Sequence, residues 1–332
     1  MLILLALFAC TSDDPKDDTA APADTDTDTD TDTDTDADTD ADTDTDTDTD
    51  TDVTLAGTCT DDTHWGAFLV DSSEEYAFVT GSISDGVVPV TVLTNVVTSG
   101  DCTIWRRENP FCDPTCSPGY TCDLTGTCVV YPTTQDLGTV DVTGLSQAVS
   151  MEPVTPGYNY YDTSLPNPPW DAGDLLTLRT SGGSYEPVTL HGYAPTTLVP
   201  VSMDWTITPS APLAVAWDAP TGPVNTELVL SLRIDQHGTT PSSIECTFAD
   251  DGAAEVPGDV IDTLMSYGVT GFPAGDLLRR TADSTPIGGG CIDLVASSSR
   301  FAQVTIEGYT PCRSDGECPE GQTCNEPLER CE

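Results

Sequence analysis

Leu228-Val229-Leu230-Ser231-Leu232-Arg233-Ile234 sets an aliphatic side chain at every other position, and Leu213-Ala214-Val215-Ala216-Trp217 repeats the pattern over a shorter run. Side chains alternate between the two faces of a strand, so a period of two predicts that one face of each run meets a core. Outward from these runs the rhythm persists. Short stretches rich in Val, Thr, Leu, Ile and aromatics are cut by Gly, Pro, Asn and Asp at intervals of roughly eight to twelve residues, the spacing of an all-β chain. Strands are expected at 66–70, 76–83, 89–93, 137–143, 175–180, 203–208, 213–217, 227–234, 243–248, 291–295 and 301–307. Only 260–265 reads as a helical turn, capped by Asp259 after Pro257. The fold class that follows is all-β: an antiparallel β-sandwich body with two small disulfide-rich modules and a disordered N-terminal stalk.

The modules are visible as an internal repeat. Cys112, Cys116, Cys122 and Cys128 recur in outline as Cys312, Cys318, Cys324 and Cys331, and both sets contain Cys-x-x-Gly-x-Thr-Cys, with the glycines at 119 and 321. Four cysteines in so short a stretch staple a loop too small to hold a core. Of the three connectivities open to four cysteines, the crossed one is expected: Cys112 with Cys122, Cys116 with Cys128, Cys312 with Cys324 and Cys318 with Cys331. Zinc prefers Cys pairs spaced by about two to four residues, whereas five-residue gaps dominate in these modules, so no metal is expected. The modules resemble the short EGF-like or Dickkopf-like cysteine repeats of myxobacterial and related delta-proteobacterial surface proteins. In the body, Cys246 is expected to pair with Cys291, and Cys59 with Cys102. Trp217, closing a Leu-x-Val-x-Trp strand ahead of Pro220, is similar to the core tryptophan strand of fibronectin type III sandwiches, which implies a packing role for Trp217 and no function.

From Asp24 to Asp52 the chain alternates Asp with Thr, broken only by Ala37 and Ala41, and offers no aliphatic or aromatic residue that seeds a core. Such a tract is expected to be disordered and stretched by repulsion between its acids. It lacks the Gly and closing Glu of a calcium loop, so diffuse counterions are expected there and no discrete ion. Ahead of it, Leu2 to Ala9 is an apolar run far shorter than the roughly 20 residues needed to span a membrane. The ending Leu7-Phe8-Ala9-Cys10 resembles the lipobox of bacterial lipoproteins, which implies cleavage before Cys10 and acylation of that residue. No basic residue precedes the run, so the start of translation is expected further upstream. Thr11 behind the cysteine implies sorting to the outer membrane. Setting Cys10 aside for lipid leaves twelve of the thirteen cysteines, an even number that can all pair in an oxidising compartment. The segments are therefore a signal at 1–9, a lipid-anchored stalk at 10–52, the first part of the body at 53–110, a module at 111–131, the main body at 132–310 and a second module at 311–332. This layout resembles surface lipoproteins of myxobacteria, a family that lends no established activity.

The 332 residues carry a formal charge of −46. Nineteen Asp and Lys16 in residues 11–52 account for −18 of it, leaving −28 on the rest. A surface so acidic repels phosphate backbones, so nucleic acid is excluded as a partner. His64, His191 and His237 stand in separate segments, and no nucleophile elbow, zinc-protease, phosphate-loop or dinucleotide fingerprint is present. No catalytic residue and no cofactor is expected. The turn Asp250-Asp251-Gly252 reads as a solvated hairpin rather than a calcium site, and Arg106, Arg107, Arg279 and Arg280 read as internal salt-bridge formers. Tyr158, Tyr160, Tyr161 and Trp170 cluster in the Pro-rich stretch 153–169 and its border, as candidate ligand-stacking rings that otherwise plug the sandwich. The expected function is non-catalytic binding or adhesion at the cell surface, with a polysaccharide or protein ligand and the membrane as a partner through the lipid. An envelope-attached hydrolase and a passive coat or spacer are the alternatives. Acids lining a cleft beside aromatics favour the hydrolase; a flat face with exposed rings favours the binder.

Overall fold

The computed structural model describes residues 53–89, 92–106, 112–123, 125–222, 224–234 and 242–332. The chain forms two compact units, Met1–Thr51 and Asp52–Glu332. The first lies outside the described residues, and with it the expectations for Cys10 and the stalk.

In chain order the elements of the second unit are β1 (His64–Ser72), β2 (Ala77–Ile83), β3 (Thr94–Ser99), β4 (Cys102–Arg106), β5 (Tyr120–Cys122), β6 (Cys128–Val130), β7 (Val140–Thr143), β8 (Val149–Met151), β9 (Tyr160–Asp162), β10 (Leu175–Thr180), β11 (Thr189–Tyr193), β12 (Asp204–Ile207), β13 (Leu213–Ala216), β14 (Glu227–Arg233), β15 (Ser242–Ala249), β16 (Ala253–Val256), the helix α1 (Gly258–Ser266), β17 (Ala274–Ile287), β18 (Gly290–Ile306), β19 (Cys324–Asn325) and β20 (Arg330–Cys331). The fold is all-β, as the alternation predicts. One long sheet runs β3-β4-β15-β14-β17-β18-β1-β2-β9, with β12 also on β18, and a four-stranded sheet runs β11-β10-β7-β8. The expected purely antiparallel pairing needs correction, because β1 and β12 both pair parallel with β18. β18 has 17 residues, long enough to take two short strands end to end along one edge.

The hairpin β17–β18 is the spine of the body. Along β18 the even-numbered residues share one face, and they serve two cores in turn. Ile292, Leu294 and Ala296 meet the four-stranded sheet through Val140, Val142, Leu176, Leu178 and Leu190, with Phe68, Val70 and Val79 on the same side. Further along, Ala302 and Ile306 join a second core with Leu228, Leu230 and Leu232 of β14, Ile244 of β15, Trp205, Trp217 and the helix residues Val260, Ile261 and Leu264. Each fully buried Leu, Ile or Val contributes roughly 1.5–3 kcal/mol. α1 starts after Pro257 and has no side-chain cap, so Asp259 is a first-turn residue and not the cap the sequence suggests. A carboxylate there faces the positive end of the helix dipole.

All twelve cysteines beyond Cys10 are disulfide-bonded. The modules carry the crossed pattern Cys112–Cys122, Cys116–Cys128, Cys312–Cys324 and Cys318–Cys331. Their shared glycine has φ of +86° at Gly119 and +90° at Gly321, a turn that L side chains adopt with strain. The body pairs differently from the expectation: Cys59 bonds Cys291, and Cys102 bonds Cys246. The reason is the parallel strand. His64 stands opposite Cys291, so the chain entering β1 lies beside the start of β18, where Cys59 reaches it. Cys102 and Cys246 stand directly opposite each other in the antiparallel β4/β15 ladder.

Candidate binding face

The long sheet covers its two cores with one face, and its outward face is open only in part, since Asp71, Asp293, Ser297 and Ser299 on it are buried. On the outward face, register aligns Leu69, Thr80 and Tyr161 across β1, β2 and β9, and Asp71 with Phe78 in the next row. Tyr76 is 51% exposed, Tyr161 is 60% exposed and Phe78 is half-buried, and the Tyr76 and Phe78 ring centroids lie 5.9 Å apart. Tyr76 and Phe78 therefore form a ring pair, and Tyr161 stands on the same face opposite the exposed Thr80.

This strip corrects the ring cluster expected from sequence. Strand alternation in β9 sends Tyr160 inward while Tyr161 points out. Tyr160 is fully buried, its ring 5.6 Å from that of Phe68, and its hydroxyl accepts the Leu137 amide proton at 2.8 Å. Trp170 is also core, donating its Nε1–H to the Pro195 carbonyl at 3.1 Å. Tyr158 is half-buried in a left-handed backbone conformation, φ +44°. Only Tyr161 of the four is a surface ring; Tyr76 and Phe78 went unread because they sit at a strand start, where core residues are equally common.

Beside the strip, Asp71 is buried and accepts the hydroxyl protons of Ser297 at 2.5 Å and Ser299 at 2.7 Å. Burial pushes its carboxyl above the ordinary aspartate range, against the opposing pull of the two hydroxyls and of Arg300. Neither serine contacts a histidine among the described residues. His64 instead lies 3.5 Å from Asp293, and His191 lies 3.2 Å from the Thr177 hydroxyl; His237 falls outside the described residues. Two of the arginines form ion pairs. Arg279 is buried and grips Asp250 with Nε at 2.6 Å and a second nitrogen at 2.9 Å, while Arg280 meets Glu227 at 3.4 Å. Asp250 also accepts from Trp217 Nε1 at 2.7 Å and Thr226 at 2.5 Å, so it is a buried anchor and not part of a solvated hairpin. Arg106 lies over the Tyr267 ring at 4.4 Å, a cation–π contact in place of the expected salt bridge, and Arg107 falls outside the described residues.

A groove of 670 Å³ opens beside the first module, lined by Val87, Pro89, Val92, Val130 and Tyr131, with Asp62, Asp85 and Asp123. These acids are occupied by local structure. Asp85 accepts from the Thr133 amide at 2.7 Å and from the Thr133 and Gln135 side chains. Asp123 accepts from the Thr125 hydroxyl and from the Thr125 and Thr127 amides, and the Thr125 hydroxyl above all holds its carboxyl below the ordinary range. A carboxylate held ionised by a turn is poorly suited to proton transfer. A second groove, 740 Å³, lies by β12 and β13, with Val201, Trp205 and Ala254 among its walls.

No protein-family model matches the chain, and no curated protein matches it. Among solved structures it is similar to "Crystal structure of chicken CNTN1 FN1-FN3 domains" at 11% sequence identity, over 67% of this chain and 78% of that one, with a TM-score of 0.18. At that score the likeness says nothing about fold or function.

Proposed function

We propose that this protein is an exported, lipid-anchored surface protein whose β-sandwich body binds neutral polysaccharide without catalysis. The observation that carries the reading is the pair of exposed rings Tyr76 and Tyr161 on one sheet face, with the half-buried Phe78 against Tyr76. Solvent-facing rings on one sheet face present apolar surfaces to the C–H faces of sugar rings, and exposed groups of this kind mark recognition surfaces. The acidic body disfavours anionic glycans, which leaves neutral ones. The turn-bound acids of the groove give no support to a hydrolase. Export is supported by cysteines that are all oxidised among the described residues and by the lipobox-like ending at Cys10.

The test is a glycan array probed with residues 53–332, which contain both cores and all six disulfides. The expected result is binding to neutral polysaccharide that falls about tenfold in each of Tyr76→Ala and Tyr161→Ala, a loss of about 1.4 kcal/mol. Release of reducing ends would favour the hydrolase, and an array with no signal would favour the passive spacer.

A further inference from the structure

The groove beside the first module lies apart from the aromatic strip. Ser84 bridges Thr134 there, Asp85 N–H donates to the Thr133 carbonyl and Gln135 N–H to the Ile83 carbonyl, so residues 83–85 and 133–135 form a short antiparallel ladder. Past Asp85 and Thr133 the ladder stops, and the groove opens between Gly86, Val87, Pro89 and Val92 on one side and β6 on the other. Val130 is 65% exposed and Tyr131 44%, large apolar surfaces left open on a small module. In the β5/β6 ladder the hydrogen-bonded positions are fixed by Asp123 N–H to the Thr127 carbonyl and Tyr131 N–H to the Gly119 carbonyl. Alternation therefore turns the N–H and C=O of Val130 away from β5, where the described residues supply no partner. The lining residues include three acids and no base, and hydrogen bonds hold Asp123 ionised.

We infer that this groove is a docking site for an extended, basic protein segment, one that alternates Arg or Lys with apolar side chains. An extended chain supplies backbone partners for an open strand edge; its apolar side chains cover Val130 and Tyr131, and its cations meet Asp62, Asp85 and Asp123. Charge complementarity selects a basic segment over an acidic or neutral one. The Tyr131 ring offers a face to a guanidinium. The site is independent of the glycan reading, since no residue of the strip lines the groove.

The test uses residues 53–332 and a fluorescein-labelled peptide alternating arginine with valine, followed by anisotropy at several salt concentrations. The expected result is saturable binding that weakens with salt, falls about tenfold in Tyr131→Ala and in Val130→Ser, and loses part of its salt dependence in Asp62→Asn. Phe301→Ser removes a more exposed ring elsewhere on the body, and Tyr161→Ala removes another exposed ring; both are expected to bind the peptide as the parent does. All five positions are at the surface, so the variants keep the fold. Equal affinity of parent, Tyr131→Ala and Val130→Ser would overturn the inference, because attraction would then be the diffuse effect of net charge. Equal binding of a glutamate-for-arginine peptide, or no binding at all, would overturn it as well.

Discussion

Arg279 shows how much one side chain decides in this body. Its guanidinium makes two bonds to Asp250, two near Thr196 and Thr197, and one to the Asp218 carbonyl, so every arm of the fork is used. A buried pair of this kind returns little net stability when intact, yet removing one partner strands the other charge. Arg279→Ala is therefore expected to cost about 3–5 kcal/mol in urea unfolding. Arg279→Lys is expected to recover only part of that, because an ammonium cannot grip both carboxylate oxygens along with the Asp218 carbonyl. Asp71 gives a pH signature of opposite kind. Burial raises its carboxyl in the folded chain, so the folded state holds that proton more tightly than the unfolded state does. The contribution is full below the unfolded pKa and lost as pH rises through the raised folded one. Asp71→Asn is accordingly expected to gain stability relative to its parent as pH rises across the carboxylate range, measured as urea midpoints at each pH; a constant difference would count against the assignment. At this scale the sequence is a poor guide. Asp250 and Asp251 are adjacent acids before a glycine, and nothing local says which one turns inward to meet an arginine 29 residues on.

Among the elements, alternation made the half-buried strands readable: β1, β2, β10, β12, β13, β14 and β15 lie where period-two runs or aliphatic stretches predict them. β17 was missed because Asp276, Arg279, Arg280 and Asp283 make it look polar, although all but Arg280 are buried by the partners they find across the sheets. β18 was read as two strands because Ser297, Ser298 and Ser299 interrupt its apolar pattern; those hydroxyls are buried against Asp71, Leu198 N–H and the Ser72 carbonyl. β3 replaces the strand expected at 89–93, of which residues 90 and 91 fall outside the described set. The disulfide Cys59–Cys291 joins residues 232 apart and fixes the entry of β1 against the start of β18. Chain entropy alone gives such a bridge about 5 kcal/mol. Replacing both cysteines by serine is expected to lower stability by an amount up to that value, and to loosen β1 first, seen as faster amide exchange at Phe68 and Val70 than at Leu228 and Leu230.

For the molecule as a whole, cysteine parity was the most informative count in the sequence: thirteen residues, one set aside, twelve to pair. The crossed pattern within each module could be anticipated because its four cysteines are near neighbours in the chain. The partners of Cys59 and Cys102 could not, since they depend on which distant strands pair: β1 parallel with β18 for Cys59, and β4 antiparallel with β15 for Cys102. The binding face was legible only in part. Tyr161 was singled out, but which rings of a Tyr-rich stretch face water depends on strand phase, and Tyr76 and Phe78 join it through a neighbouring strand far away in sequence. Among the described residues no helix is long and apolar enough to cross a membrane; the attachment proposed above is lipid at Cys10. That claim is tested most directly by non-reducing mass spectrometry of the protein recovered from the surface of intact cells. The account predicts an amino-terminal peptide that begins at Cys10 and carries acyl chains, with Cys59 linked to Cys291 and Cys102 to Cys246. An unmodified Cys10 still preceded by Leu2 to Ala9, or free thiols in the body, would contradict it.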